Sequence, residues 1–546
     1  MNATYAQCPP AFDDALAALK AHCIPDRIAA RDHTVWKPVP DEIANSLGWM
    51  NLPSRMLDHV SDLIAFSEDV RAQGFRDVLL VGMGGSSLAA DALSHVFERP
   101  NGFPTLTVLD TTHPDAIAAA TARVELGRTL LIVATKSGGT AETMSLFRHL
   151  YRLIGEHVGA EAVGARFVAI TDPGSSLADL ATTLHFRRVF LNDPNVGGRY
   201  SALSLFGLVP AALIGIDVRT LLQRALLAEH QTLDASHPGV RLGAFVGACA
   251  RSRIDKATFL VSPPIARFGD WIEQLIAEST GKDGAGILPV IDEPPGSPEA
   301  YSDDRLFIDL RLAGDTTHDA AMAALAAAGR PLVRIELADA HDLGEQFYQW
   351  ELATAVASHL LGVNPFDQPN VEAAKDLARR AVDAFRASGE RPALPEAPAT
   401  ADALRSVVDG IEHGGYVAVH AYLPPSADTD RALRRLRIAL RDQFGAATTV
   451  GYGPRFLHST GQLHKGDAGR GRFIQLLSPP RRDIEIPTAP PRHDRPEVGP
   501  RLTFGTLIVA QAAGDRQALL DAGRRVASFV VGPDAAADID RLADAL

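Results

Sequence analysis

A chain of 546 residues, 46% hydrophobic and 22% charged, has enough apolar mass for about three domains of roughly 150 residues each. Its formal net charge is −13, and no Lys/Arg run or basic stripe with interleaved aromatics occurs, which argues against a nucleic-acid partner. The three cysteines, Cys8, Cys23 and Cys249, have neither disulfide-framework nor metal-ligand spacing and suit the reduced thiols of a cytoplasmic protein.

The opening "MNATYAQCPPAFDDALAALK" lacks a basic segment followed by an apolar core, so no signal peptide is expected. Residues 1–60 read as helical segments and connectors. From 61 to 220 short runs rich in Val, Ile and Leu ("DVLLVGMGG", "TLTVLD", "TLLIVATKSGG", "RFVAIT", "FRRVFLN") alternate with Ala-rich amphipathic stretches. Strands alternating with helices predict a parallel sheet covered on both faces. "YSALSLFGLVPAALIGI" is too short for a comfortable membrane span and contains Pro210, so it reads as a buried helix.

A second round, 221–386, offers strands in "KATFLVSP", "LFIDLRLAG" and "PLVRIEL", and helices in "RFGDWIEQLIAESTG" and "DLGEQFYQWELATAVASHLLG". The Pro/Ala-rich stretch 387–402 reads as a linker, and "SPPRRDIEIPTAPPRHDRPEVGP" as a surface loop. Residues 403–546 again alternate strand and helix, closing on a helix and a final strand.

Two glycine-rich loops follow adjacent strands. The first, "VGMGGSSLAAD", supplies Gly82, Gly84, Gly85, Ser86 and Ser87. Glycines let a backbone approach a ligand, and the amides of the next helix favour an anion. As a dinucleotide fingerprint it lacks a glycine at 87, although Asp110 could serve as the ribose acid, so a nicotinamide-dependent dehydrogenase stays open on this loop alone. The second, "VATKSGGTAETM", puts Thr135, Lys136, Ser137, Thr140 and Thr143 around Gly138 and Gly139. Two adjacent hydroxyl-rich strand ends suit one terminal phosphate better than a pyrophosphate, while Ser137 and Thr140 could also simply cap a helix with Glu142 in its first turn.

The pair "GMGGSSLAAD" and "TKSGGTAET" resembles the sugar-isomerase phosphate-binding fold. More narrowly, "NVGGRYSALSLFG" and "GVNPFDQPNVEAAK" resemble the two signature stretches of the phosphoglucose isomerase family. Over 35–546 the chain looks most like the isomerase half of bacterial transaldolase–phosphoglucose isomerase fusions, although no transaldolase half is expected before residue 35. The resemblance implies an α/β fold: two doubly wound, flavodoxin-like parallel-sheet subdomains (61–220 and 221–386) and a C-terminal α/β segment. It implies interconversion of glucose 6-phosphate and fructose 6-phosphate through a cis-enediolate, without cofactor or metal. It also implies a homodimer and a possible functional link to a transaldolase. No nucleic acid or membrane enters this reading.

That chemistry needs a group to open the sugar ring, a base to carry a proton between C2 and C1, and positive charge to hold the enediolate. Glu278 is the expected base: Trp271, Leu275 and Glu278 share one helical stripe, and "ESTGK" resembles the family's Glu-Ser-x-Gly-Lys motif. Glu273 lies off that stripe and is expected to be structural. The resemblance implies that Arg199 in "NVGGRYS" steadies the enediolate and that Lys375 assists ring opening, with Gly198 and Gln368 at the sugar. It also implies that the phosphate rests on Gly85, Ser86, Thr135, Lys136, Ser137 and Thr140. Gln368 stands where mannose-accepting isomerases tend to carry threonine, which argues for glucose.

The chain departs from the family in two places. Asn370 replaces the usual glycine, a change tolerated at left-handed or capping positions. The region "DEPPGSPEAYSDDRLF" has no ring-opening histidine. His464 and His458 in "GPRFLHSTGQLHKG" are the expected substitutes. A sugar-phosphate-binding module without turnover is the alternative that the missing histidine leaves open.

Overall fold

The computed structural model describes residues 2–392, 397–488 and 500–546, so parts of the predicted linker and of the Pro-rich loop lie outside the described residues. Among the described residues, fourteen strands form three sheets. The first contains β2 (Asp77–Val81), β3 (Thr105–Leu109), β4 (Thr129–Ala134), β5 (Phe167–Thr171) and β6 (Arg188–Leu191) in the order β3-β2-β4-β5-β6, all parallel. Strand β4 is buried along its whole length, as is β2 from Val78 to Val81, which is why both read as unbroken apolar runs.

The second sheet has the order β1-β10-β9-β7-β8, from β1 (Asn2–Ala6), β7 (Lys256–Val261), β8 (Leu288–Val290), β9 (Arg305–Leu312) and β10 (Leu332–Leu337). Two expectations fail here. The N-terminal segment begins with a strand, and that strand runs antiparallel to β10, so the sheet is mixed. The third sheet, β12-β11-β13-β14, is parallel and comprises β11 (Tyr416–Tyr422), β12 (Ala447–Tyr452), β13 (Gly471–Leu477) and β14 (Arg525–Val530). The chain ends on the helix Ala535–Ala545 rather than on a strand. The helix Pro369–Ser388 and the helix Ala401–Val408 take up both ends of the predicted linker.

The order of the first sheet places the site. The chain moves from β2 outward to β3 on one side, then crosses to β4 on the other, leaving a crevice between the carboxyl ends of β2 and β4 where ligands of doubly wound sheets bind. Both glycine-rich loops leave the sheet there. The apolar stretch with Pro210 forms the fully buried helix Leu205–Leu213, and among the described residues no helix is long and apolar enough to cross a membrane.

Candidate active site

A cleft of about 1020 Å³ opens at that crevice. Its walls include Gly85, Ser86, Thr135, Lys136, Ser137, Thr140, Gly198, Arg199, Glu278, Gln368, Lys375 and His458, so twelve of the thirteen expected site residues meet in one place. In the first loop Ser86 faces the cleft, whereas Ser87 is buried with its hydroxyl turned to the Gly84 carbonyl at 3.3 Å. A Cβ on Gly85 would stand 1.9 Å from the Gly198 carbonyl oxygen, so here glycine is required by contact between two backbones. Gly85→Ala is expected to lower stability by about 1–3 kcal/mol, the range for overpacking, read as a drop in denaturant midpoint with unchanged slope.

In the second loop the Thr135 and Thr140 hydroxyls share a 2.8 Å hydrogen bond, and the Ser137 Oγ accepts from the Gly139 amide at 3.3 Å. Gly138 has φ +76°, a left-handed turn that carries the chain into the helix Ala141–Val158. Lys136 is already occupied: its Nζ lies 2.5 Å from Asp172 Oδ2 and 2.7 Å from the Pro194 carbonyl.

Deeper in the cleft, Glu278 sits two residues before the end of the helix Phe268–Thr280, on the stripe of Trp271 and Leu275, which are both buried. Its Oε2 accepts from Gln274 Nε2 at 3.1 Å and lies 3.8 Å from Arg199 Nε. Arg199, only 4% exposed, spends Nη2 on the carbonyls of Phe366 and Asp367 and on the Gln368 side chain. Its Nη1 is buried and has no hydrogen-bond partner among the described residues, an orphaned cationic donor beside the carboxylate.

The third sheet and the helices around it, the third lobe, close the cleft. His458 Nε2 lies 3.2 Å from Glu142 Oε1, the same oxygen that accepts from Gln511 Nε2 at 2.8 Å. Burial pushes the Glu142 carboxyl up, but the charge and hydrogen bond of His458 outweigh it and hold its pKa down at about 2. Lys375 lies on the cleft wall, 2.8 Å from Glu372 Oε1, and its charge also reaches Glu142.

A sequence model of phosphoglucose isomerase matches residues 55–286. A glucose-6-phosphate isomerase of Rubrobacter xylanophilus is 34% identical over an alignment spanning 62% of this chain and 90% of that protein. The chain belongs to the phosphoglucose isomerase family. A Campylobacter jejuni glucose-6-phosphate isomerase is 26% identical over 62% of this chain and 92% of its own length. Among solved structures, a hypothetical protein from Thermus thermophilus superposes with a TM-score of 0.60 at 25% identity, covering 70% of this chain and all of that one. A Chlamydia trachomatis glucose-6-phosphate isomerase gives 0.58 at 17% identity, covering 68% and 86%.

Within this family member, His464 is the expected site residue that does not line the cleft. It is 2% exposed, and its Nδ1 faces His420 Nε2 at 3.1 Å. His420 in turn lies 3.2 Å from Asp515, which also takes Lys465 at 2.6 Å. Burial, reinforced by His420 and Lys465, pushes the His464 pKa well below its ordinary value, so it stays neutral in the core of the third lobe. The helix Gly461–Gly466 turns His464 inward, a direction that a six-residue helix with Leu463 as its one large apolar residue does not announce.

The Asn370 substitution also has a different meaning from the one expected. It lies inside the first turn of the helix Pro369–Ser388, where its amide N–H donates to Gln462 Oε1 at 2.9 Å and its Oδ1 accepts from Gln462 Nε2 at 2.7 Å. The side chain docks the third lobe; a glycine there would keep only the backbone half of the contact. Asp110 is likewise not free for a ribose, since Arg455 Nε stands 3.2 Å from its Oδ2.

Glu142 and Gln511 went unassigned by sequence reasoning. Glu142 was visible as a first-turn acid, which the helix dipole alone explains; Gln511 comes from the distant helix Phe504–Asp521 and carries no local signal. Glu273 does not line the cleft: it accepts from Ser459 Oγ at 3.2 Å, and burial, with Asp270 repelling it, raises its carboxyl pKa to about 7. A carboxyl that keeps its proton longer folded than unfolded loses the protein stability as pH rises from about 4.5 through 7. Glu273→Gln is therefore expected to raise the melting temperature at pH 8, with a gain of at most about 3 kcal/mol, and to change it little at pH 4.5.

Proposed function

We propose that this family member interconverts D-glucose 6-phosphate and D-fructose 6-phosphate by proton transfer through a cis-enediolate. The observation that carries the reading is the pairing of Glu278 with the open edge of Arg199 in a cleft whose wall holds two hydroxyl-rich phosphate loops. The phosphate rests on the amides and hydroxyls of Gly85, Ser86, Thr135, Ser137 and Thr140, with Lys136 supplying positive charge from its pair with Asp172. Gly198 and Gln368 border the sugar.

Opening the furanose breaks the bond from C2 to the ring oxygen: that oxygen gains a proton and the C2 hydroxyl loses one to water. His458, oriented by its contact with Glu142, is the acid, and Lys375 adds positive charge on the cleft wall. Glu278 then removes a proton from C1, charge gathers on O2, and the unpaired Nη1 of Arg199 receives it. Return of the proton to C2 and transfer of the O1 proton to O2 give the aldehyde with its C2 hydroxyl. Normal fructose 6-phosphate turnover by Glu278→Gln in a coupled assay would overturn the assignment.

The proposal extends to the lobes: a phosphate-binding lobe over 61–220, a lobe over 221–386 carrying Glu278, and a lobe over 403–546 carrying His458. A homodimer with functional coupling to a transaldolase rests on the resemblance alone, and a cytoplasmic location on the three sparse, unpaired cysteines. Light scattering of the purified chain tests the dimer: twice the chain mass is expected.

A further inference from the structure

Arg455 opens the short helical turn Arg455–His458 that carries His458 into the cleft. It is met by carboxylates from three separate elements. Its Nε lies 3.2 Å from Asp110 Oδ2, just past β3; its Nη2 lies 3.4 Å from Asp91 Oδ2, on the helix Leu88–Val96, and 3.4 Å from Asp270 Oδ2, in the first turn of the helix that ends near Glu278. Asp270 also pairs with Arg267 at 3.0 Å, and Glu273 stands beside the group. Two of the carboxylates belong to the first lobe, one to the second, and the arginine to the third.

Such a convergence is hard to explain as packing alone. Asp91 and Asp110 are nearly buried, and burial holds the Asp110 carboxyl above its usual range. Like charges gathered in a low-dielectric site are tolerated only where a cation joins them. Arginine suits that place because its planar guanidinium offers donors in several directions, which a single ammonium cannot match.

The turn is then pinned along its length. The His458 carbonyl accepts from Gln274 Nε2 at 2.8 Å, Ser459 donates to Glu273, and Gln462 grips Asn370 and the Gly281 carbonyl. A Cβ on Gly84 would come within 2.7 Å of the His458 carbonyl oxygen, so the turn lies directly on the first phosphate loop.

We propose that Arg455 is a positioning residue that locks the third lobe onto the other two and thereby sets His458 for ring opening. The proposal rests on the reading of His458 as the ring-opening acid. It assigns Arg455 no contact with the sugar.

The test separates ring opening from proton transfer by substrate. Fructose 6-phosphate must open its ring, whereas 5-deoxyfructose 6-phosphate lacks the hydroxyl that closes the furanose and enters already open. The full chain is compared with Arg455→Lys, which keeps the charge, with Asp110→Asn, which keeps the shape, and with His458→Asn.

Arg455→Lys is expected to lower kcat for fructose 6-phosphate by about 10–100-fold, the scale of a displaced catalytic group. Turnover of the 5-deoxy substrate should stay within about threefold of wild type, and Asp110→Asn should show a smaller shift in the same direction. The pH profile for fructose 6-phosphate should change in Arg455→Lys and that for the open substrate should not. If Arg455→Lys loses its cooperative melt, Asp110→Asn decides.

Equal losses on both substrates, or no loss on either, overturn the proposal. If His458→Asn discriminates between the substrates and the Arg455 and Asp110 variants do not, the Arg455 assignment alone is wrong. If His458→Asn does not discriminate, the reading of His458 fails and this proposal fails with it.

Discussion

Replacing Glu278 by glutamine is expected to lower kcat for fructose 6-phosphate by about 10³–10⁴-fold, at the upper end of what a positioned general base contributes. The amide keeps the size of the side chain but cannot take the C1 proton. KM should move by less than about threefold, because the phosphate loops and Arg199 stay in place. The fold should tolerate the change: Glu278 lines the cleft, where the Gln274 amide donates to it and the Arg199 edge lies 3.8 Å away. A large rise in KM with kcat intact would instead make Glu278 a binding group.

The second large effect concerns His458. His458→Asn removes the acid and, with an amide too short to reach the position of Nε2, its contact with Glu142; it is expected to lower fructose 6-phosphate turnover by about 10²–10³-fold. Glu142 then loses the charge that holds its carboxyl near 2, so burial dominates and its pKa rises. The depressed carboxyl contributes stability above its unfolded value near 4.5 that is lost as pH falls toward 2. His458→Asn should therefore narrow the stability difference between pH 6 and pH 3, measured by denaturant unfolding. An unchanged difference would show that the pair is not electrostatically coupled.

The parts of the fold that were legible are those whose signal is local. Strands β2, β4 and β5 are continuous apolar runs because helices cover both faces, and the glycines beside them mark tight backbone turns. Strand β1 was missed because "NATYA" is short, half-exposed and stabilised by β10, more than three hundred residues away. Strand β8 has only three residues and contains a proline. The same division runs through the site. Glu278 stands on a readable helical stripe, and Arg199, Lys375 and the two loops lie in long motifs. His458 and His464 occupy one polar stretch, and only the turn of the chain in space separates them: one faces Glu142 across the cleft, the other faces His420 inside the third lobe. The Asn370–Gln462 contact and the Arg455 cluster join segments far apart in sequence, so neither could be found from spacing.

Proton transfer at Glu278 is tested most directly by following fructose 6-phosphate with the wild-type chain in D2O by NMR. The account predicts conversion to glucose 6-phosphate, with deuterium building up at C2 over many turnovers as the proton held by Glu278 exchanges with solvent, and neither event in Glu278→Gln. No conversion by the wild type, or conversion in which C2 never takes up deuterium, would contradict it.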